Sequence, residues 1–284
     1  MTDKLSRNDV FKPQQAKEEG YQTNNVIKDD FGWEVPVDVA PLPSNGVVYS
    51  RESTLAGRET VEIRAMTAKD EDILLSQAYI KSGTVITKLI ESCLVDKSIK
   101  VNEMLSGDRN AVMISTRITG FGADYKIRTE CEHCEKEQDV TIDLSSLAIK
   151  RLGAEPIKRG KNLFTTTLPI TKKEVLFKLM TVNDELEAAA SAKRKEKLLG
   201  IKEDQNRLTQ SLMRIIDSIE GITDRNKILK FVENMPVRDS RHIRNTIREI
   251  EPGIDMNTSF ECSGCELEAQ VEISLGVGFF WPSD

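Results

Sequence analysis

The chain has 284 residues, of which 39% are hydrophobic and 30% charged, with a formal net charge of −6 and a pI of about 5.3. The acidic balance opposes general nucleic-acid binding, which needs a basic surface to displace counterions, and no apolar run approaches the roughly 20 residues of a membrane span. The N-terminus starts polar and has no apolar h-region, so no secretory signal is expected and the five cysteines are read in a reducing cytoplasm.

Residues 1–38 are polar and charged and are expected to form a flexible arm. Pro41-Leu42-Pro43-Ser44-Asn45-Gly46 is turn chemistry that should lead into a strand. Thr60 to Arg64 alternates apolar and polar residues, as a half-buried strand does. A helical pattern starts at Asp70, and Val85, Ile86, Leu89, Ile90, Cys93 and Leu94 form one apolar stripe. A further helix is expected from an N-cap at Asp108 to a C-terminal Gly122. A strand, a Cys131-x-x-Cys134 turn and a return strand complete the unit.

The same order then recurs. Met66-Thr67-x-x-Asp70-Glu71 reappears as Met180-Thr181-x-x-Asp184-Glu185, preceded by an extended segment from Glu174 to Lys178. Val101-x-x-Met104 returns as Val232-x-x-Met235. Asp108 and Asp239 each lie 23 residues before a C-x-x-C pair, Arg117 matches Arg248, and Gly122 matches Gly253, so a matching helix is expected from an N-cap at Asp239 to a C-terminal Gly253. Leu208, Leu212, Ile215, Ile216 and Ile219 read as the second apolar helix stripe. The offset is 114 at the first landmark and 131 at the later ones, so the second copy carries about 17 extra residues, placed in the lysine-rich stretch 188–205. Ordered self-similarity of this kind points to duplication. The expected fold is α+β: an internally duplicated helical unit with β-hairpin zinc knuckles, the first copy over 39–150 and the second over 151–284.

The cysteines carry the sharpest signal. Cys131, Cys134, Cys262 and Cys265 form two C-x-x-C pairs with acidic neighbours, each followed by the same apolar alternation (Val140, Ile142, Leu144; Val271, Ile273, Leu275). A two-residue gap lets both sulfurs of a pair reach one ion at about 2.3 Å, and four thiolates make a closed tetrahedral structural zinc site. One zinc shared by both pairs would tie the copies together and contribute folding energy. Redox pairs, iron and two metal-free turns are the other readings; a thioredoxin-type pair would open a helix inside a βαβ unit, which neither does. His133 reads as a polar turn residue and Cys93 as a core thiol.

Arg241, Arg244 and Arg248 form a helical stripe opposite Ile243, Ile247 and Ile250. A solvated face is the plain reading; docking of an acidic partner surface is the functional one. Lys193 to Lys197 alternates with glutamate and reads as a solvated helix or linker. The aromatic run Phe279-Phe280-Trp281 caps the chain's own core or inserts into a neighbour. No nucleophile elbow, P-loop or dinucleotide turn is present. No enzyme activity and no small-molecule substrate are therefore expected.

Taken in order, Leu42-Pro43-Ser-x-Gly46-x-x-Tyr49, Met66-Thr67-x-x-Asp70-Glu71, Gly107-Asp108-Arg109-Asn110, the two C-x-x-C pairs, Phe231-Val-Glu-Asn-Met-Pro236-Val-Arg-Asp239-Ser240 and Phe279-Phe280-Trp281-Pro282 resemble a family of T-even-type tailed-phage baseplate hub assembly proteins. The resemblance runs from about residue 40 to Pro282. It implies a non-enzymatic assembly factor, a chaperone or minor component of a contractile tail's baseplate hub, made as a late protein. Such a protein would act in the host cytoplasm during assembly and in the virion's tail baseplate. The implied partners are other hub or tail proteins, with the tape measure as a further candidate, and neither nucleic acid nor membrane. Many zinc knuckles place glycine after the second cysteine; Glu135 and Glu266 stand there. The alternative function is a zinc-ribbon module bound to nucleic acid or transcription machinery.

Overall fold

In the computed structural model, which describes residues 26–28, 32, 34–199 and 207–280, small antiparallel sheets alternate with helices in an α+β arrangement. Strands β1 (Val26–Lys28), β2 (Glu34–Pro41) and β3 (Thr60–Arg64) form the first sheet in that order. β1 and most of β2 fall inside the stretch expected as an arm over 1–38. They are strands because β3 buries Val61 and Ile63 on one face and offers an edge that Val37 and Ala40 of β2 extend. The 42–57 loop does not lead into a strand after Tyr49. It folds back as turns that bury Leu42, Val48, Tyr49 and Leu55. Gly46 (φ +67°) permits this: a Cβ there would sit 2.4 Å from the Leu55 carbonyl oxygen.

Helices α1 (Ala68–Leu75), α2 (Gln77–Ser82), α3 (Val85–Cys93) and α4 (Ser106–Phe121) follow, then hairpin β4 (Asp124–Glu130)–β5 (Glu137–Asp143) and short β6 (Ile149–Lys150). The second half has β7 (Phe164–Thr167), β8 (Glu174–Phe177), α5 (Val182–Leu199), α6 (Arg207–Ile215), β9 (Ile216–Ile219), α7 (Arg225–Glu233), α8 (Val237–Ile250), β10 (Gly253–Ile254) and hairpin β11 (Asn257–Glu261)–β12 (Glu268–Glu272). A tight turn at Val277–Phe280 follows.

Several expected boundaries move. The apolar stripe read through Ile219 breaks after Ile215, and Ile216–Ile219 pairs with β8 as a strand; the short segment Ile216-Asp217-Ser218-Ile219 suits either period, and the open edge of β8 decides. Leu208 of that stripe is exposed. Gly253 is a β10 residue and no helix cap, because Pro252 already ends α8. Thr67, not Asp70, is the N-cap of α1, with Asp70 three residues on in a capping box. The lysine-rich stretch extends α5 to Leu199, and residues 200–206 lie outside the described residues.

Asp108 and Asp239 are not caps. Each is the third residue of its helix and reaches out to hold a Leu-Pro turn. Asp108 Oδ1 accepts from Ser44 N (2.9 Å), two residues after Leu42. Asp239 Oδ1 accepts from Ile170 N (2.7 Å), two residues after Leu168. Arg64 grips Asp70 through both guanidinium nitrogens (2.7 and 3.0 Å), and Lys178 grips Asp184 at 2.6 Å. Thr67 and Thr181 donate to these same two carboxylates.

The main core draws on both halves: β2, β3, α3 and α4 pack with Phe164, Phe177, Val182, Phe279 and Phe280. A second core lies among β8, β9, α6, α7 and α8. Backbone bonds from Ser106 to Met180 (3.0 Å) and from Val182 to Met104 (2.9 Å) stitch the halves. The segments after the two hairpins also cross over. β6 leaves the first hairpin to pair with β10, where Ala148 O accepts from Asp255 N. The 277–280 turn leaves the second hairpin to cover α4, where Phe279 O accepts from Arg117 Nε (3.2 Å).

Candidate metal centre and contact surfaces

The tips of β4–β5 and β11–β12 have one construction. Cys131 N donates to Lys136 O and Cys262 N to Leu267 O, both at 3.0 Å. Glu135 N returns to Cys131 O and Glu266 N to Cys262 O. The residue after each second cysteine takes the left-handed conformation, φ 59° at Glu135 and 58° at Glu266, so the turn closes without the glycine that many knuckles carry. Backbone N–H groups of His133 and Gly264 point at Cys131 and Cys262 Sγ (3.4 and 3.3 Å).

All four Sγ atoms lie within 4.8 Å of one another. Cys131 is 3.8 Å from Cys265, and Cys134 is 3.6 Å from Cys262. A tetrahedral ion with metal–sulfur bonds of about 2.3 Å requires sulfur–sulfur edges of about 3.8 Å, so the donor set fits one ion. The first cysteine of each pair faces the second of the other, the reciprocal pattern that a twofold axis imposes. Cys131 and Cys262 are buried, Cys265 is half-buried and Cys134 is exposed.

Electrostatics favour a cation here. The N–H groups of Gly264 and Cys265 hold the Cys262 thiol down at about 6. The Lys136 N–H would lower Cys134 as well, but desolvation and the sulfurs of Cys262, Cys265 and Cys131 push it up to about 12. Four thiols this close cannot all ionise without a counter-charge, and a dication supplies one.

Side chains around the sulfurs join the tips. His133 Nε2 donates to Glu268 O (3.0 Å), Lys136 Nζ to Ser263 Oγ (3.2 Å), and Ser263 N and Oγ both donate to Gln138 Oε1. Behind them Cys131, Phe260, Cys262 and Ala269 form a small apolar cluster. His133 is therefore a cross-tip strut, a role that no local pattern announces because its partner lies 135 positions away.

Cys93 is fully buried, and desolvation raises its thiol to about 12. Arg241, Arg244 and Arg248 are exposed on α8, opposite buried Ile243 and Ile250. Phe279 and Phe280 are buried (1% and 0% exposed); Phe279 lies 5.1 Å from the Tyr125 ring and 5.6 Å from Phe280, centroid to centroid. They complete the chain's own core and offer no free surface, and Trp281 lies outside the described residues. Lys193 donates to Lys81 O across α5 and α2. No helix among the described residues is long and apolar enough to cross a membrane.

The sequence profile of one protein family, described as T4 bacteriophage base plate protein, matches residues 47–281, well over half of the chain. Comparison with curated proteins and with solved structures gives no match.

Proposed function

The chain belongs to the T4 bacteriophage base plate protein family, and from that premise we propose that it is a non-enzymatic assembly factor or minor component of the baseplate hub. The convergence of four thiols from two distant hairpins carries this reading. A closed four-sulfur site leaves no coordination position for a substrate, so its work is to hold the two tips together. Tetrahedral thiolate sites suit zinc or iron; zinc, which has no redox chemistry, fits a clamp.

The chain further reads as two duplicated units related by a pseudo-twofold axis through the metal. The matched Asp–turn clamps, the matched Asp70 and Asp184 caps, the reciprocal cysteine facing and the exchanged post-hairpin segments support this. Function is then by protein–protein contact, with the arginine face of α8 as the candidate surface. The partners are other hub or tail proteins, and the tape measure is a further candidate.

Two measurements test the reading. Elemental mass spectrometry should find one zinc per chain, lost when either Cys131/Cys134 or Cys262/Cys265 is changed to serine. Zinc that survives loss of one pair would mean separate sites; iron, or no metal, would remove the zinc clamp. Capture from infected cells should recover hub or tail proteins, and recovery of none would sink the assembly role. Tight binding of DNA or RNA at low salt would favour the nucleic-acid alternative instead.

A further inference from the structure

We propose that a second copy of this chain seats its acidic second hairpin on the arginine face of α8, so that copies associate head to tail. The proposal rests on the reading of that face as a contact surface and names its occupant.

The receiving face is well defined. Asp239, Ser240, Ile243 and Ile250 point inward, while Arg238, Arg241, Arg244 and Arg248 are exposed at steps of three, three and four residues. Four arginines elsewhere in the chain pair with carboxylates: Arg58 with Asp96, Arg64 with Asp70, Arg109 with Glu185, Arg128 with Glu137. Among the described residues none of the four α8 arginines has a carboxylate within 4 Å, although acidic residues outnumber basic ones by six. Val237, at the head of the face, is 79% exposed. On the matching helix α4 the same face is an interface. Gly107 packs against Pro252, Met113 is buried, and Arg117 is covered by the 277–280 turn.

The occupant is argued from charges left unbalanced on the second hairpin. In each hairpin two glutamates face one another directly across the strands, Glu130 with Glu137 and Glu261 with Glu268. Like charges in that position repel. In the first hairpin Arg128 relieves the pair by bridging to Glu137 at 2.6 Å. The second hairpin has Ser259 where the first has Arg128, and neither Glu261 nor Glu268 makes an ion pair among the described residues. Both glutamates are exposed. Their Cβ atoms sit about 5 Å apart across the ladder, comparable with the rise of about 4.5 Å between helical residues three apart such as Arg241 and Arg244. The hairpin bearing them is braced by its sister tip, so little ordering entropy opposes docking. Donor and receiving surfaces differ, so the contact is heterologous and closes into a ring or extends as a chain.

Sedimentation velocity of the full, metal-bearing chain tests this at low and high salt. Association is expected at low salt and should weaken as salt rises. Arg241→Glu with Arg244→Glu, or Glu261→Arg with Glu268→Arg, should each weaken self-association at least tenfold. All four changes in one chain should restore it, because the charges are exchanged and not lost. Circular dichroism and zinc content check that the variants fold. A wild type that stays monomeric at low salt, or failure of the four-fold exchange to rescue, overturns the proposal. If self-association is absent while Arg241→Glu/Arg244→Glu abolishes capture of tail proteins from infected cells, the contact-surface reading stands and the second-copy occupant falls. If a DNA duplex binds wild type at low salt and the arginine variant loses it, the face belongs to phosphate and the proposal is overturned.

Discussion

Asp70 shows how one buried carboxylate can order a local segment. Its two oxygens take the Arg64 fork, the Thr67 amide and hydroxyl, and Ser92. Burial alone would raise its pKa, but these donors more than offset that and hold it down at about 2. The folded value lies below the ordinary carboxylate value of 3.8, so the stabilisation is present above about pH 4 and is lost as pH falls towards 2. The shift corresponds to roughly 2 kcal/mol. Asp70→Asn should lose about that much at neutral pH in urea titrations, and the gap from wild type should close between pH 4 and pH 2. A gap unchanged at pH 2 would show that the carboxylate's charge is not what stabilises the cap. Asp184, gripped by Lys178 where Asp70 has Arg64, is also held below the ordinary value.

Between elements, α4 lies close against the chain leaving α8. A Cβ on Gly107 would fall 1.7 Å from the Pro252 carbonyl oxygen, a backbone atom that cannot swing aside. Alanine would gain about 1 kcal/mol of helix propensity, but forcing the elements apart costs about 1–3 kcal/mol or more. Gly107→Ala is therefore expected to destabilise by up to about 2 kcal/mol, whereas Gly276→Ala, with nothing within 4 Å of the added methyl, should be near neutral by the same urea titration. The hairpins, α3 and α8 were legible in the sequence because their apolar periods are unmixed and the C-x-x-C turns mark the strand reversal. The path of Ile216–Ile219 was not, since four residues of that composition satisfy a helix or a strand until β8 offers an edge. Asp108 and Asp239 were visible as landmarks and misread as caps, because their partners at Ser44 and Ile170 lie 64 and 69 positions away. The four cysteines were legible as a set, while the struts His133, Lys136 and Gln138 had no local signature.

At the scale of the whole molecule, the cysteine-bearing tips and the crossing segments bind the same two halves at different places. Stripping the metal should therefore loosen the tips without separating the cores. Hydrogen exchange after chelation should speed up in 124–143 and 257–272 and change little in α3 and α4; uniform acceleration would mean that the metal holds the entire fold. The covering turn has the opposite reach. Phe280 is fully buried in the core shared with α4, and Phe280→Ala should cost about 3–5 kcal/mol, read as a lower midpoint of cooperative urea unfolding.

That covering turn also sets an order of events during synthesis. Arg117 and the Phe279 carbonyl that caps it are separated by 162 positions. A nascent chain can form α1 to α4 early, but Arg117 and Tyr125 keep an open flank until the ribosome has made the turn at Val277–Phe280. The half made first is thus finished last, and a polypeptide interrupted anywhere before that turn carries an unsealed core that cellular proteases can recognise.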